Sequence, residues 1–445
     1  MTGAFAGERA VVVGAGVAGS AAARVLRAGG ADVLVTESRA ADEVDVAAIE
    51  ASGARVEAGG HRPEHLRDAT LVVVSPGVPP SAEVLAWARS RGVPIWSEME
   101  LGARLARVPY LAVTGTNGKT TTTGMLAAIL RADGRDAVAC GNIGHPFPLA
   151  ATEPYDVLVV EVSSFQLEHQ TSFHPRVSVL LNVAPDHLDA HGSFDAYVAA
   201  KARIVAAAAP EDVHVGTADD EVAAGVSATA PCRRLWFRAA APSAGEVGFE
   251  DDRLVARIDG RADLGGFGGR SPGYRADAAA AAAAALGFGA APDAVRDGLE
   301  GFRPAAHRGE TVATVRGVRF VDDSKATNVH AARAAIAGVE DAVLIAGGRA
   351  KGQDLAPLAG DADRLRAVVA IGEAADQVAA AFDGLVPVER ASSIEAATRT
   401  AFDLASPGGV VLLAPACASW DQFHDYAERG DRFAAAARSL EDGDG

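Results

Sequence analysis

The run Leu111-Ala-Val-Thr-Gly-Thr-Asn-Gly-Lys-Thr-Thr-Thr-Thr123 decides how this chain is read. Tyr110 to Val113 is short and apolar, the pattern of a buried strand. The pattern breaks at Gly115, turns through Asn117 and Gly118, and delivers Lys119 and Thr120 to a helix expected over Thr121–Leu130. Strand, glycine loop, lysine and helix together make a phosphate cradle. Loop N–H groups and the helix N-terminus aim at an anion, and the lysine adds a point charge. Gly115, Thr116, Asn117, Gly118, Lys119, Thr120 and Thr121 are therefore candidate ATP contacts, with the Thr120 hydroxyl placed for a magnesium ion. The spacing, Gly-x-x-Gly-Lys-Thr, is shorter than the common Gly-x-x-x-x-Gly-Lys-[Ser/Thr]. An ordinary Gly/Asn turn would explain the loop but not the Lys-Thr pair at the start of the helix.

A second glycine loop lies upstream. Arg9–Val13 reads as a strand, Gly14-Ala-Gly-Val-Ala-Gly19 follows, then a helix over Ser20–Ala28 and a second strand, Ala31–Glu37, ending in an acid. This is the dinucleotide fingerprint in its βαβ context. Its glycines say only that a pyrophosphate can approach the backbone. A nicotinamide dehydrogenase would leave the loop at 115 unexplained. Two phosphate sites suit a nucleotide-linked substrate and a separate ATP. Further strands are expected at Leu71–Ser75 and Val93–Trp96, and their alternation with helices predicts a parallel sheet.

Downstream of the loop, Asp156–Val162 is a strand near whose end sits Glu161, a place where an acid can hold magnesium; a surface or helix-capping glutamate is the alternative. The strand Val177–Val183 delivers Asn182, Asp186, His187 and Asp189 in one loop. Lys201 falls in a helix over Phe194–Val205, where a solvated lysine is the simplest reading. Residues 231–270 look irregular, with short strands such as Arg253–Ile258 and a glycine-rich tail at Gly265–Gly269, and the alanines at 278–285 read as a packed helix. Beyond the linker Gly301-Phe-Arg-Pro304, strands are expected at Val318–Val321, Asp341–Ala346, Ala367–Gly372 and Gly409–Ala414. Their polar loops carry Lys325 and Lys351, which could bind carboxylates as point charges. The fold expected is α/β in three domains: a Rossmann-like sheet for the nucleotide-linked substrate in 1–98 (UDP-binding, by the resemblance given below), a P-loop ATPase-type sheet in 99–305 and a Rossmann-like sheet in 306–445.

Bulk composition narrows the function further. The 445 residues carry 41 basic and 58 acidic side chains, a net charge of −17, which argues against a nucleic-acid-binding face. Cys140, Cys232 and Cys417 are few and far apart, which fits a reducing compartment with neither disulfides nor a zinc cluster. The N-terminus is charged at Glu8 and Arg9 where a signal peptide needs an apolar core. The alanine run is far short of the roughly 20 residues of a membrane span. A cytoplasmic protein, monomeric and without membrane insertion, is expected.

With those residues laid out, the chain resembles the Mur ligases from Gly14 to about Phe433. The resemblance rests on Gly115–Thr120, on Glu161 within Glu-Val-Ser-Ser-Phe-Gln-Leu-Glu, on Asn182–His187, on His307-Arg308-x-Glu310, on Asp323-Ser-Lys-Ala-Thr-Asn328 and on Ala416-Cys-Ala-Ser-Trp-Asp-Gln-Phe423. The last two look like the branch that adds D-glutamate. The Asp-Asn-Pro-Arg signature of the diamino-acid-adding branch is absent. A folylpolyglutamate synthase-like ligase would lack the N-terminal domain, and a non-catalytic nucleotide switch would bind ATP without turnover.

The resemblance implies ATP-dependent joining of D-glutamate to UDP-N-acetylmuramoyl-L-alanine through an acyl phosphate, in peptidoglycan precursor synthesis. It implies that Gly14, Gly16, Val17, Ala18, Glu37, Ser38, Arg39, Ser75, Pro76, Gly77, Asn142 and His187 hold the UDP-substrate. Arg308, Asp323 and Asp277 would join the ATP loop. Lys325, Thr327, Lys351, Ser419 and Tyr426 would frame D-glutamate. Two magnesium ions are implied, one on Thr120 and Glu161, the other on Glu161, His187 and Lys201. Lys119, Glu161, His187 and Lys201 are thus the catalytic set, and Lys201 is carbamylated in the family, which turns a cation into a carboxylate. Closure of the last domain is expected to assemble the site. Two departures stand out. Ser271-Pro-Gly-Tyr-Arg-Ala-Asp277 replaces the family's Gly-x-His-Asn-x-x-Asn near adenine, and Tyr426 stands where phenylalanine is usual.

Overall fold

Valine runs at 11–13 and 72–74 build the centre of the first sheet. In the computed structural model, which describes residues 3–441, β1 (Arg9–Val13), β2 (Asp32–Thr36), β3 (Arg55–Glu57), β4 (Leu71–Val74) and β5 (Ile95–Ser97) pair in the order β3-β2-β1-β4-β5. All four pairings are parallel. β1 and β4 are buried along nearly their whole length, as parallel strands covered on both faces must be. The strand order reverses between β1 and β4, and that switch point is where sheets of this kind bind ligands. The sequence showed no β3, because Arg-Val-Glu is too short to display a period.

The second sheet holds β6 (Tyr110–Thr114), β7 (Ala137–Gly141), β8 (Val157–Glu161), β9 (Val177–Leu180), β10 (Val213–Thr217), β11 (Arg233–Phe237), β12 (Glu246–Glu250), β13 (Arg253–Ala256) and β14 (Ala262–Gly266). Their order is β14-β13-β12-β11-β10-β9-β6-β8-β7. The region expected to be irregular with short strands forms β11–β14; the strand expected from Arg253 is β13, which runs antiparallel to both of its neighbours. The helix after the phosphate loop is Lys119–Ala132, starting two residues earlier than its sequence suggested, from a left-handed Gly118. The alanine run lies in the helix Pro272–Phe288, and Ala278–Ala285 are all fully buried.

The third sheet, β15 (Glu310–Val315), β16 (Val318–Asp322), β17 (Ala342–Gly347), β18 (Leu365–Ile371), β19 (Val388–Arg390) and β20 (Val410–Leu413), has the order β15-β16-β20-β17-β18-β19. Four of its strands were expected. β15 and β19 add themselves at the edges, and β15 pairs antiparallel with β16. No helix among the described residues is long and apolar enough to cross a membrane. The chain groups into two compact units. One takes the chain to Val183 with Asp195–Phe267 and Asp277–Phe302; the other takes Ala184–Phe194, Gly268–Ala276 and everything from Arg303.

Candidate active site

In the first unit, β6 lies between β8 and β9, with Val113 opposite Glu161 and Thr114 opposite Leu180. The phosphate loop, Glu161 and Asn182 therefore leave the sheet side by side. Asn182 holds the loop. Its Oδ1 accepts from the Asn117 N–H at 2.9 Å, its Nδ2 donates to the Asn117 carbonyl at 3.2 Å, and its own carbonyl accepts from the Thr116 N–H at 3.0 Å. Gly118 has φ +83, and a Cβ there would stand 2.1 Å from Asp277 Oδ1. Asp277 also accepts from the Thr122 hydroxyl at 3.2 Å, so it sits directly against the loop. Lys119 folds over the loop, its Nζ donating to the Gly115 and Thr116 carbonyls at 2.9 Å each. Thr120 and Thr121 open the helix behind it.

Lys201 corrects a simple expectation. It is 1 % exposed, not solvated. It lies four residues after Tyr197, on the same helix face, and both are buried. Its Nζ donates to the Gly115 carbonyl at 2.7 Å and sits 4.6 Å from the Tyr197 ring centroid. Glu161 ends β8 and is buried. One carboxylate oxygen accepts from Asn142 Nδ2 at 2.9 Å; the other is buried with no hydrogen-bond partner. Such an oxygen is costly unless a cation meets it, so the residue fits a magnesium ligand. Among the described residues no three His, Cys, Asp or Glu side chains gather into a metal cluster. Magnesium commonly keeps its waters and substrate phosphates beside one or two carboxylates, so Glu161 with the Thr120 hydroxyl remains a chemically adequate set.

A cavity of about 1000 Å³ opens in the same unit, and Gly14, Gly16, Val17, Ala18, Glu37, Ser38, Arg39, Ser75, Pro76, Gly77 and Asn142 all line it. A Cβ on Gly19 would stand 1.9 Å from the Gly14 carbonyl oxygen, so the helix packs on the turn only because glycine is there. Glu37 braces the loop. Its oxygens accept from the Ala15 N–H at 2.7 Å, the Arg39 N–H and guanidinium at 3.0 Å each, and the Ser38 hydroxyl at 3.1 Å. Burial alone would raise its pKa; the Arg39 bonds, with those from Ala15 and Ser38, bring it down to about 2. Gln166, from the motif that begins at Glu161, also lines this cavity, as do His61, Trp87 and Glu98, which the sequence did not single out. Glu98 is 2 % exposed and accepts from Gln166 Nε2 at 2.6 Å, and burial pushes its pKa up to about 7.

The second unit holds His187 and the residues expected for D-glutamate. Lys351 Nζ lies 2.8 Å from Asp186 Oδ1, with both side chains 7 % exposed, and Asn328 Nδ2 donates to the other Asp186 oxygen at 3.1 Å. Burial alone would raise the Asp186 pKa, but Lys351 and then His187 pull it below the ordinary value. The charge of Lys351 is thus already matched, which the sequence did not reveal. His187 and Lys351 both take left-handed backbone, φ 53 and 54, which is uncommon outside glycine and clusters at functional sites. Lys325 Nζ sits 3.7 Å from the Tyr426 ring centroid.

Arg429, also unmarked in the sequence, is fully buried. It donates to the Ser324 hydroxyl at 3.0 Å, the Ser324 carbonyl at 2.8 Å and the Cys417 carbonyl at 3.2 Å. It so ties the segment before Lys325 and Thr327 to the segment before Ser419. Backbone bonds between Arg349 and Ala418, at 2.9 and 3.0 Å, bring the Lys351 loop to the same place. Asp323 has its pKa pushed up to about 7 by burial, against the pull of Arg308.

Three α/β sheets, a lysine-bearing phosphate loop and a separate glycine-loop cavity define a nucleotide-using enzyme. Comparison with known families makes the class specific. The Mur ligase MurD-like N-terminal domain matches residues 8–97, the Mur ligase middle domain 113–245 and the Mur ligase glutamate ligase domain 307–417. The chain belongs to the Mur ligase family and is an ATP-dependent ligase. It is 46% identical to a UDP-N-acetylmuramoylalanine--D-glutamate ligase of Frankia casuarinae, covering 98% of this chain and 95% of that one. It is 42% identical to the protein of that name from Mycolicibacterium smegmatis, covering 97% of each. Among solved structures it resembles MurF from Acinetobacter baumannii, with a TM-score of 0.63 at 18% identity over 98% of this chain and 93% of that one. It also resembles the UDP-N-acetylmuramate-alanine ligase MurC from Thermotoga maritima, with a TM-score of 0.61 at 20% identity over 97% and 99%. At those identities the structures speak for the fold alone.

Proposed function

We propose that this enzyme joins the amine of D-glutamate to the carboxylate of UDP-N-acetylmuramoyl-L-alanine, using ATP and magnesium, as a cytoplasmic monomer. The observation that carries the proposal is the pairing, in one compact unit, of a glycine-loop cavity of about 1000 Å³ with a separate Lys119 phosphate loop. One suits a nucleotide-linked acceptor and the other the ATP that activates it. The names of the relatives supply the amino acid. The three stations are residues 1–98 for the UDP-substrate, 99–305 for ATP and 306–445 for the amino acid.

The chemistry follows from the side chains. A carboxylate is a poor electrophile at neutral pH, and phosphorylation gives it a good leaving group. Loop N–H groups from Gly115 to Thr121 bind the phosphates. Lys119 exchanges its two backbone carbonyls for phosphate oxygens and offsets charge on the transferring group. The amine of D-glutamate then attacks the acyl carbon and phosphate departs. Thr120, Glu161, His187 and Lys201 are the proposed magnesium ligands. When bound, magnesium supplies charge neutralisation on the phosphoryl oxygens. As an ammonium, Lys201 is a donor and cannot ligate; the role requires the carbamate. Lys325, Thr327, Lys351, Ser419 and Tyr426 orient the amino acid, with Arg308, Asp323 and Asp277 toward ATP. The deciding experiment is phosphate release with UDP-N-acetylmuramoyl-L-alanine while the amino acid is varied. Release that depends on D-glutamate is expected, and release indifferent to D-glutamate would sink the proposal.

A further inference from the structure

Of the motif His307-Arg308-x-Glu310, the proposed reaction uses only the arginine. His307 takes left-handed backbone, φ 64, a strained conformation for any residue but glycine, and one that persists where the surroundings hold it. Those surroundings all belong to the second unit. The ring Nδ1 lies 2.7 Å from Asp322 Oδ2. Asp322 ends β16, is fully buried, and accepts the Ser324 N–H on its other oxygen at 2.9 Å. An ionised carboxylate only accepts, so the ring donates from Nδ1. Its Nε2 lies 3.8 Å from Asp431, an exposed side chain. The His307 carbonyl accepts the Lys325 N–H at 3.2 Å.

The same ring packs on the residues expected for D-glutamate. It meets the Tyr426 ring edge to face, with 6.3 Å between centroids and 78° between planes. Lys325 Nζ sits over that tyrosine, and the Ser324 hydroxyl donates to the Tyr426 carbonyl at 2.7 Å. Gly430 lies four residues further along the helix Tyr426–Ser439, on the same face. A Cβ there would stand 2.2 Å from His307 Nδ1 and 2.7 Å from Asp322 Oδ2, so only glycine leaves room for the pair. Residues 307, 322–325, 426 and 430 thus meet at one imidazole.

We propose that His307 is the positioning residue of the amino-acid station, with separate duties for its two parts. The ring, bonded to Asp322 and packed on Tyr426, holds Tyr426 and Lys325 where the carboxylates of D-glutamate bind. The left-handed backbone sets the direction in which Arg308 leaves toward ATP. The inference rests on the proposed roles of Lys325 and Tyr426 at D-glutamate and of Arg308 at ATP.

The test is steady-state phosphate release by the full chain with UDP-N-acetylmuramoyl-L-alanine, varying D-glutamate and ATP in turn. His307→Gly keeps the backbone and removes the ring. It should raise the KM for D-glutamate by roughly tenfold, the order of one lost hydrogen bond, and leave the KM for ATP within about twofold of native. His307→Ala strains the left-handed backbone as well and should raise both. His307→Asn tolerates that backbone and places an amide N–H where Nδ1 was, so it should restore the KM for D-glutamate to within about threefold of native. A native KM for D-glutamate in His307→Gly overturns the inference. So does an equal rise in both KM values there, which a general loosening of the fold would produce. Should His307→Gly fold poorly, the alanine and asparagine variants decide, and equal KM values for D-glutamate in the two overturn it. If the native protein shows no release that depends on D-glutamate, the proposed reaction falls and this inference with it. If the native protein does and His307→Gly matches it, only the role of His307 falls.

Discussion

Lys119 and Glu161 show how differently two residues of one site can be held. Lys119 rests on two carbonyls at 2.9 Å and can release them when a phosphate arrives. Glu161 keeps one buried oxygen with no partner. Lys119→Ala should therefore lower phosphate release by about 10²–10³-fold, as loss of a transition-state donor does, with the melting temperature nearly unchanged. Retained activity would remove the loop from the ATP site. Glu161→Gln keeps the Asn142 contact but loses the charge. It should raise the magnesium needed for half-maximal release by roughly tenfold or more. A magnesium titration that superimposes on the native one would show that Glu161 holds no metal.

Among elements, the phosphate loop was the most legible, because its chemistry demands particular residues at adjacent positions. Glycine, lysine and threonine in sequence disclose a cradle without any tertiary knowledge. What the sequence concealed was the bracing. Asn182 lies 65 residues from Asn117, and Asp277 lies 155 from Thr122. Glu98 meets Gln166 across 68 residues, and no local period announces such a pair. The short edge strands β3 and β19 failed for a simpler reason, since three residues cannot display alternation. Lys201 was misjudged because an alanine-rich helix gives no clear polar face to read. Gly118 offers a test at this scale. Gly118→Ala meets both a positive φ and the Asp277 carboxylate. Melting should show a loss of about 1–2 kcal/mol, with weaker ATP binding in titration. A native-like melt with native ATP affinity would mean the loop relaxes freely.

For the whole molecule, the pH dependence of stability includes a buried acid, Glu98, that holds its proton well above the ordinary carboxylate range. Glu98 has a folded pKa of about 7 against an ordinary value of 4.5. Between those values the folded protein binds more protons than the unfolded chain. Stability from this group is therefore full below pH 4.5 and is lost as pH rises toward and past 7. The span is on the order of 3 kcal/mol. Melting temperatures across pH 5 to 8 should fall more steeply for the native protein than for Glu98→Gln, and parallel curves would refute the assignment. The net charge of −17 adds a general repulsion that salt screens, so the comparison belongs at one ionic strength.

The ion pair between Asp186 and Lys351 bears on how the gene can be cut. The third sheet and its helices look like a separable module beginning at Arg303, yet the carboxylate that neutralises its buried lysine is encoded 165 residues upstream, in Ala184–Phe194. A fragment expressed from 303 onward would leave the Lys351 ammonium without the Asp186 carboxylate that it meets at 2.8 Å. The second compact unit is thus assembled from separate stretches of coding sequence, Ala184–Phe194, Gly268–Ala276 and the chain from Arg303 onward. Recombination that swaps it between relatives must move these stretches together.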